Sequence, residues 1–249
     1  FLENWYIYVF TNYIKITFIK IWMSLFASKG ELKNLRYDTV KIFDDYLPLS
    51  VCDEIIKRFE LVAKNTNYSY RWSDALESDT RLWCFEKEIK ELLPHFELDR
   101  WIRASDAYTG RKTQSWCLMA NRIIPKENNL GSGGGLHRDS PFSHQVKFIW
   151  YLNDVNEFNG PFQYLPGTNT DIWQNRKLFP LGEYRFPNIE TPYNMKEVHA
   201  KAGSLLICDT KCIHSGKPIE KGIRYAITLY TFYDTQGIER ILNQSGLMH

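Results

Sequence analysis

The chain has 249 residues, of which 44% are apolar and 15% aromatic, enough for one large domain with a substantial core. Its 31 Lys and Arg residues nearly balance 29 Asp and Glu residues, for a formal net charge of +2, which argues against a dedicated nucleic-acid-binding protein. The five cysteines, an odd number, form no paired framework and favour a reducing compartment, so we expect a cytoplasmic protein.

Residues 1–30 are rich in aromatic and β-branched side chains but are interrupted by Lys15 and Lys20. Their longest uncharged run is too short to cross a bilayer, which needs roughly 20 apolar residues. Projected as a helix, the segment has one apolar face, formed by Ile14, Phe18, Ile21, Trp22 and Leu25. It is predicted to be an amphipathic helix that packs on the domain or on a second copy of the chain. Alternatively, it anchors residues 31–249, the predicted functional domain, peripherally to the inner face of a membrane.

The elements predicted along the chain are helices first and strands afterwards. Residues 39–43 are predicted to be a strand, followed by a helix capped by Ser50, and residues 76–98 a second helix ending near Pro94. Short segments rich in β-branched and aromatic residues then follow, at 115–124, 145–154, 162–166, 195–200, 203–208 and 224–233. This order predicts an α+β fold, a double-stranded β-helix (jelly-roll) core with N-terminal supporting helices.

The stretch "GGGLHRDSPF", residues 133–142, contains the first candidate metal ligands. His137 and Asp139 are two residues apart, so on a strand they point to the same side. His214, between two predicted strands, is the best placed third ligand, whereas His95 and His199 are interpreted as structural. Two histidines and one carboxylate form the facial triad of non-haem Fe(II) oxygenases, which leaves coordination positions open. A zinc hydrolase would use the same three residue types.

The tripeptide His137-Arg138-Asp139 also matches the catalytic loop of protein kinases. The chain lacks an Asp-Phe-Gly tripeptide and the asparagine spacing of that loop, so we reject a kinase. The glycine-rich run at residues 131–135 does not have the G-x-G-x-x-G pattern, and the longer stretch "NNLGSGGGL" (128–136) is interpreted as a mobile loop over the mouth of the site, with a plain flexible connector as the alternative.

Arg224 is the candidate anion-binding residue. On its predicted strand Arg224, Ala226 and Thr228 point inward, while the alternate residues point the other way. A buried guanidinium is costly unless it meets an anion, and its planar fork matches a carboxylate. Thr228 is placed to add a hydroxyl to the same group. The alternative is a structural salt bridge.

The order of these features resembles the phytanoyl-CoA dioxygenase-like Fe(II)/2-oxoglutarate oxygenases. The resemblance rests on His137-x-Asp139, "FIWYLNDVNEFNGPFQYLPGTN" (148–169), "AGSLLICDT" (202–210), His214, and Arg224 ten residues later. It implies that His137, Asp139 and His214 bind Fe(II), and that Arg224 pairs with the distal carboxylate of the co-substrate 2-oxoglutarate. With O2 as the oxidant, it implies hydroxylation of an unactivated C–H bond.

Basic and aromatic residues near the expected mouth suggest an anionic or sugar-bearing substrate; they are Trp116, Arg122, Arg138, Lys147, Trp150 and Lys211. Within the family, the chain is similar to bacterial enzymes that hydroxylate the acidic sugar Kdo of lipopolysaccharide. The predicted partner is therefore an anionic small molecule or a glycolipid, not a nucleic acid, and the chain could form a homo-oligomer. A fatty-acyl or small-metabolite hydroxylase, a zinc hydrolase and a non-catalytic metal-binding module stay open as alternatives.

Overall fold

Two antiparallel sheets form the architecture, in a computed structural model that describes residues 11, 14, 17, 18, 21, 29–65, 67–139, 145–170, 184–186 and 191–247. The strands are β1 (Val40–Phe43), β2 (Arg71–Ser73), β3 (Asp79–Trp83), β4 (Ser115–Ile123), β5 (Leu136–His137), β6 (Val146–Tyr151), β7 (Phe162–Tyr164), β8 (Arg185–Phe186), β9 (Lys196–Val198), β10 (Leu205–Asp209), β11 (His214–Gly216) and β12 (Arg224–Phe232). The helices are α1 (Leu35–Asp38), α2 (Leu49–Lys64), α3 (Leu98–Thr109) and α4 (Gly237–Gln244), with 3-10 turns at Gly30–Leu32, Phe85–Lys87 and Lys90–Phe96.

The strand order confirms the predicted jelly-roll core. The larger sheet has seven strands in the order β1-β10-β6-β12-β4-β3-β2, and the smaller has five in the order β8-β5-β11-β7-β9. Neighbours in space are distant in sequence, as in the pairing of β12 with both β4 and β6. The six strands predicted from residue 115 onward are all present, with ends that differ by at most three residues.

The main hydrophobic core lies between helices α2 and α3 and one face of the larger sheet. Phe59 and Trp101 from the helices meet Phe148 and Ile227 from the strands, and all four side chains are almost completely buried. Because side chains alternate along a strand, the residues between these point to the opposite face of the sheet. That opposite face is turned toward the smaller sheet, and residues of both sheets line the cavity described below.

Two predictions made before residue 115 are wrong. Residues 76–98 do not form one helix; the structure has strand β3, two 3-10 turns and the start of α3 there. Leu82 of β3 packs into the core while Arg81 and Trp83 face the other side, and pairing with β2 and β4 outweighs the helix-forming residues that follow. Helix α2 begins one residue before Ser50, after Pro48, and has no side-chain cap.

The predicted N-terminal helix lies mostly outside the described residues. At the positions that the structure does describe, residues 11, 14, 17, 18 and 21, the backbone is helical. Ile14, Phe18 and Ile21 of the predicted apolar face are 50%, 65% and 54% exposed. Among the described residues, no helix is both long and apolar enough to span a membrane. All five cysteines are free and buried, as expected for packing residues.

Candidate metal centre and its cavity

The three predicted metal ligands meet at one point of the smaller sheet. His137 on β5 is the direct cross-strand partner of His214 on β11, and Asp139 follows two residues after His137. Their ligand atoms all lie within 4.8 Å of one another. Nε2 of His137 is 3.9 Å from Oδ1 of Asp139, and Nε2 of His214 is 3.8 Å from Oδ2. The three ligand atoms are therefore close enough together to bind one metal ion.

Backbone carbonyls orient both imidazole rings. Nδ1 of His137 lies 2.9 Å from the carbonyl oxygen of Gly135, and Nδ1 of His214 lies 3.0 Å from that of Cys212. Since a carbonyl only accepts, each Nδ1 carries the proton and each Nε2 keeps its lone pair for a ligand. Burial lowers the pKa of His137 to about 4 and that of His214 well below its usual value, so both rings are neutral at pH 7. Two neutral imidazoles and one carboxylate are the donor set that suits Fe(II).

Asp139 is held from two sides. Its backbone N–H donates to the carbonyl oxygen of Thr210, 2.8 Å away, which ties the end of β5 to the turn after β10. Its carboxylate Oδ2 lies 2.6 Å from Nζ of Lys147, a buried lysine on β6. Sequence reasoning placed Lys147 only on the rim of the site, because the chain order does not show that β6, in the larger sheet, approaches Asp139, which follows β5 of the smaller sheet.

The triad opens into a cavity of about 620 Å³ between the two sheets. Its lining includes both predicted anion-binding residues, Arg224 and Thr228, on the face of β12 that was expected to point inward. The cavity is also lined by Trp72, Leu76, Asp79, Arg81, Leu130, Gly133, Lys147, Tyr151, Arg185 and Tyr230. The structure thus brings together all five site residues named from the sequence.

Arg224 is buried at one end of this cavity. One of its terminal nitrogens donates to the carbonyl oxygen of Gly160, and its Nε has no hydrogen-bond partner among the described residues. Burial lowers the pKa of Arg224, which indicates that the guanidinium is held where charge is costly. Within the described chain it forms no salt bridge with a carboxylate, so the salt-bridge alternative lacks a partner.

Tyr151 is a site residue that sequence reasoning missed. It lies on β6 opposite Ala226, lines the cavity, and its hydroxyl accepts a hydrogen bond of 3.1 Å from the backbone N–H of Phe162. Burial raises the pKa of Tyr151, and the charge of Arg224, which lines the same cavity, opposes that rise. The alternation of Lys147, Ile149 and Tyr151 along β6 was the available signal.

The glycine-rich run, residues 131–135, lies over the metal centre and is hydrogen-bonded to the strands around it. The N–H of Gly216 donates to the carbonyl oxygen of Ser132 over 2.9 Å, and Arg185 donates to that of Gly133 over 2.6 Å. Gly216 closes the strand that begins with His214, and Arg185 is the cross-strand partner of His137. The loop lies at the mouth as predicted, but it is bonded to the strands that carry both histidines.

Most of the predicted basic and aromatic rim is elsewhere. Trp150 is in the core on the other face of the larger sheet, Arg122 pairs with Glu60 of helix α2, and Lys211 pairs with Asp209. Of the six residues expected at the mouth, Lys147 alone lines the cavity. Strand alternation explains the error for Trp150 and Arg122, since each lies next to a cavity-facing residue and so faces away. His199, interpreted as structural, pairs with Glu197 outside the site.

Comparison with known proteins gives the family. Residues 42–223 match the family described as Phytanoyl-CoA dioxygenase (PhyH). This match covers most of the chain and includes the three metal ligands, whereas Arg224 and Thr228 lie just after its end. The chain belongs to the phytanoyl-CoA dioxygenase family. A curated relative, a PKHD-type hydroxylase of Synechococcus sp. (strain CC9902), is 22% identical over 174 residues, which are 66% of this chain and 68% of the relative.

Solved structures show the same fold. EvdO2 from Micromonospora carbonacea var. aurantiaca has a TM-score of 0.58 at 15% identity, over 81% of this chain and 89% of that one. HygX from Streptomyces hygroscopicus, solved with nickel and 2-oxoglutarate bound, has a TM-score of 0.59 at 14% identity, over 82% and 86%. A prolyl hydroxylase from Trichoplax adhaerens has a TM-score of 0.55 at 15% identity, over 88% and 92%.

Family membership and the His-Asp-His centre together define the class of enzyme. The protein is a non-haem iron dioxygenase that depends on 2-oxoglutarate, with O2 as its other co-substrate. The prediction of the enzyme class and its cofactors is confirmed. The family match also favours a dioxygenase over the zinc hydrolase and the non-catalytic module.

Proposed function

We propose that this phytanoyl-CoA dioxygenase family member hydroxylates an unactivated C–H bond of an anionic, sugar-containing substrate, with the Kdo sugar of lipopolysaccharide as the first candidate. The observation that carries the proposal is the position of Arg224 and the His-Asp-His centre in one cavity. Iron held by His137, Asp139 and His214, with 2-oxoglutarate and O2, would supply the oxidising chemistry.

In this proposal Arg224 binds the distal carboxylate of 2-oxoglutarate. The guanidinium is buried, lacks a carboxylate partner among the described residues, and has an Nε available. Thr228, on the same face of β12, and Tyr151, across from Ala226, add hydroxyls at this end of the cavity. Their burial excludes water, so the charge-assisted hydrogen bonds to a carboxylate are strong there.

Addition of Fe(II) and 2-oxoglutarate to the protein without oxygen tests this arrangement. We expect a visible charge-transfer band in the wild type, weakened by Asp139→Ala and by Arg224→Ala. Arg122→Ala is the matched control, because Arg122 lies across from Tyr225, outside the cavity, and bonds Glu60. A wild type that shows no band under these conditions would contradict the proposed site.

The choice of an anionic substrate rests on the basic residues of the cavity other than Arg224, which is assigned to 2-oxoglutarate. Arg81 is paired with Asp79 and Lys147 with Asp139, whereas Arg185 at the mouth contacts the carbonyl oxygen of Gly133. Trp72 and Tyr230 add aromatic surface to the same cavity, which suits a sugar ring. An acidic sugar such as Kdo combines both features.

Product analysis on Kdo2-lipid A tests the substrate. We expect a mass gain of one oxygen atom and formation of succinate, both absent in His214→Ala. An active enzyme, shown by 2-oxoglutarate turnover on other compounds, that leaves Kdo2-lipid A unchanged would contradict the glycan substrate.

A fatty-acyl or small-metabolite substrate is the second candidate, and one observation favours it. Leu76 and Leu130 line the cavity and are 43% and 57% exposed, so the mouth has an apolar side. HygX has also been solved with hygromycin B bound, so this fold accepts a small molecule in that protein. Competition assays with acyl-CoA and with free sugar acids against 2-oxoglutarate turnover separate the two candidates.

We also propose that the N-terminal segment contacts the inner face of a membrane peripherally, which would present a glycolipid to the cavity. Support comes from the exposure of Ile14, Phe18 and Ile21 on one helical face. Vesicle flotation of the full chain and of a Phe18→Ser/Ile21→Ser variant tests the contact. Equal recovery of both proteins in the soluble fraction would contradict it.

A further inference from the structure

Lys147 is an unusual neighbour for an iron site, because it brings a positive charge to a place meant for a cation. Its Nζ lies 2.6 Å from Oδ2 of Asp139, and the two side chains are 12% and 11% exposed. It is also 5.0 Å from the centre of the Tyr230 ring. Lys147 therefore contacts the metal-binding carboxylate of Asp139 directly.

The fold forces Lys147 into this position. Lys147 lies on β6, flanked by β10 and β12, and it pairs with Cys208 of β10. Its neighbours Val146 and Phe148 point into hydrophobic core, so Lys147 must point toward the cavity. Burying an ammonium costs free energy unless an anion meets it, and Asp139 is the carboxylate that does so.

The contact between Lys147 and Asp139 can set the orientation of the metal-binding carboxylate. Asp139 stands between the two histidines, with His137 Nε2 and His214 Nε2 at 3.9 Å and 3.8 Å from its oxygens. The imidazole rings are each fixed by a carbonyl, at Gly135 and Cys212, but rotation of a carboxylate is set by what its oxygens touch.

We propose that Lys147 is a positioning residue that orients the Asp139 carboxylate for metal binding, an inference that rests on the iron site described above. The ammonium fixes the carboxylate against the two imidazoles before the metal arrives, which lowers the cost of ordering it. The repulsion between the ammonium and the metal opposes this effect, so the two contributions predict opposite results when the lysine is removed.

Measuring the Co(II) affinity of the full chain, prepared without metal, distinguishes the orienting effect of Lys147 from its repulsion of the metal. We expect Lys147→Met to weaken Co(II) binding, measured by calorimetry, by about 10- to 100-fold, as for other groups that orient metal ligands. Lys147→Arg, which keeps the charge and a donor, is expected to recover most of the affinity. The Co(II) absorption bands of Lys147→Met should also change, since they report ligand geometry.

Lys217→Met is the matched control. Lys217 pairs with Glu197 at 2.8 Å and does not line the cavity, so its removal should leave Co(II) affinity unchanged. Co(II) binding by Lys147→Met that is as tight as, or tighter than, that of the wild type would overturn the inference. A wild type that binds no Co(II) would instead contradict the metal centre itself, so the two failures are distinguishable.

Discussion

Gly133 touches the imidazole of a metal ligand, and a single added carbon there should displace it. A Cβ at Gly133 would lie 2.3 Å from Cε1 of His137 and 3.1 Å from both ring nitrogens. Ordinary contact begins about 1 Å farther away, so the ring must move by roughly that distance, whereas metal–ligand distances tolerate about 0.2 Å. We expect Gly133→Ala to lower Co(II) affinity at least 100-fold, since the loss of an orienting partner alone costs about 10- to 100-fold.

Gly134→Ala is the control that isolates this collision. Gly133 and Gly134 both have positive φ, +92° and +71°, so alanine is strained at either position by about 1–2 kcal/mol. A Cβ at Gly134 meets nothing within 4 Å. Both variants should therefore lose a few degrees of Tm, as expected for roughly that free energy in a chain of this size, while only Gly133→Ala loses the metal. Equal Co(II) affinities by calorimetry would refute the reasoning.

Three further tests concern the packing, a buried hydrogen bond and a buried charge. Trp101→Ala should lower the free energy of unfolding by about 3–5 kcal/mol in urea titrations, because Trp101 is completely buried, whereas Tyr193→Ala at a fully exposed residue should change it by less than about 0.5 kcal/mol. Tyr108→Phe removes a 2.7 Å hydrogen bond to buried Asp209 and should cost about 1–3 kcal/mol; an unchanged urea midpoint would contradict that role. Burial raises the pKa of Glu86 above its unfolded value, so its contribution to stability is present at low pH and is lost as pH rises through the folded pKa. Glu86→Gln should accordingly flatten the decline in Tm as the pH rises above the ordinary titration range of a glutamate, and parallel curves for both proteins would count against it.

Local patterns in the sequence were enough to find the site. The spacing of His137 and Asp139 and the alternation of Arg224, Ala226 and Thr228 predict which side chains share a face, because a strand repeats every two residues. The same alternation identifies the strands after residue 115, where β-branched and aromatic residues dominate. The family resemblance, which rests on the order of these residues along the chain, then implied their roles in binding iron and 2-oxoglutarate.

Contacts between distant strands decided the rest. The sequence of residues 76–98 predicts a helix, yet β3 within them pairs with β2 and β4. The extended conformation of β3 is stabilised only by hydrogen bonds and packing within the assembled sheet. The contact of Lys147 with Asp139 and the presence of Tyr151 and Arg224 in one cavity depend on which strands β6 lies beside, and packing of the whole core determines that. The sequence by itself determined the chemistry of the ligands, because residue type and local period set it. The tertiary structure decided which groups orient those ligands, because that depends on free energies summed over contacts far apart in the chain.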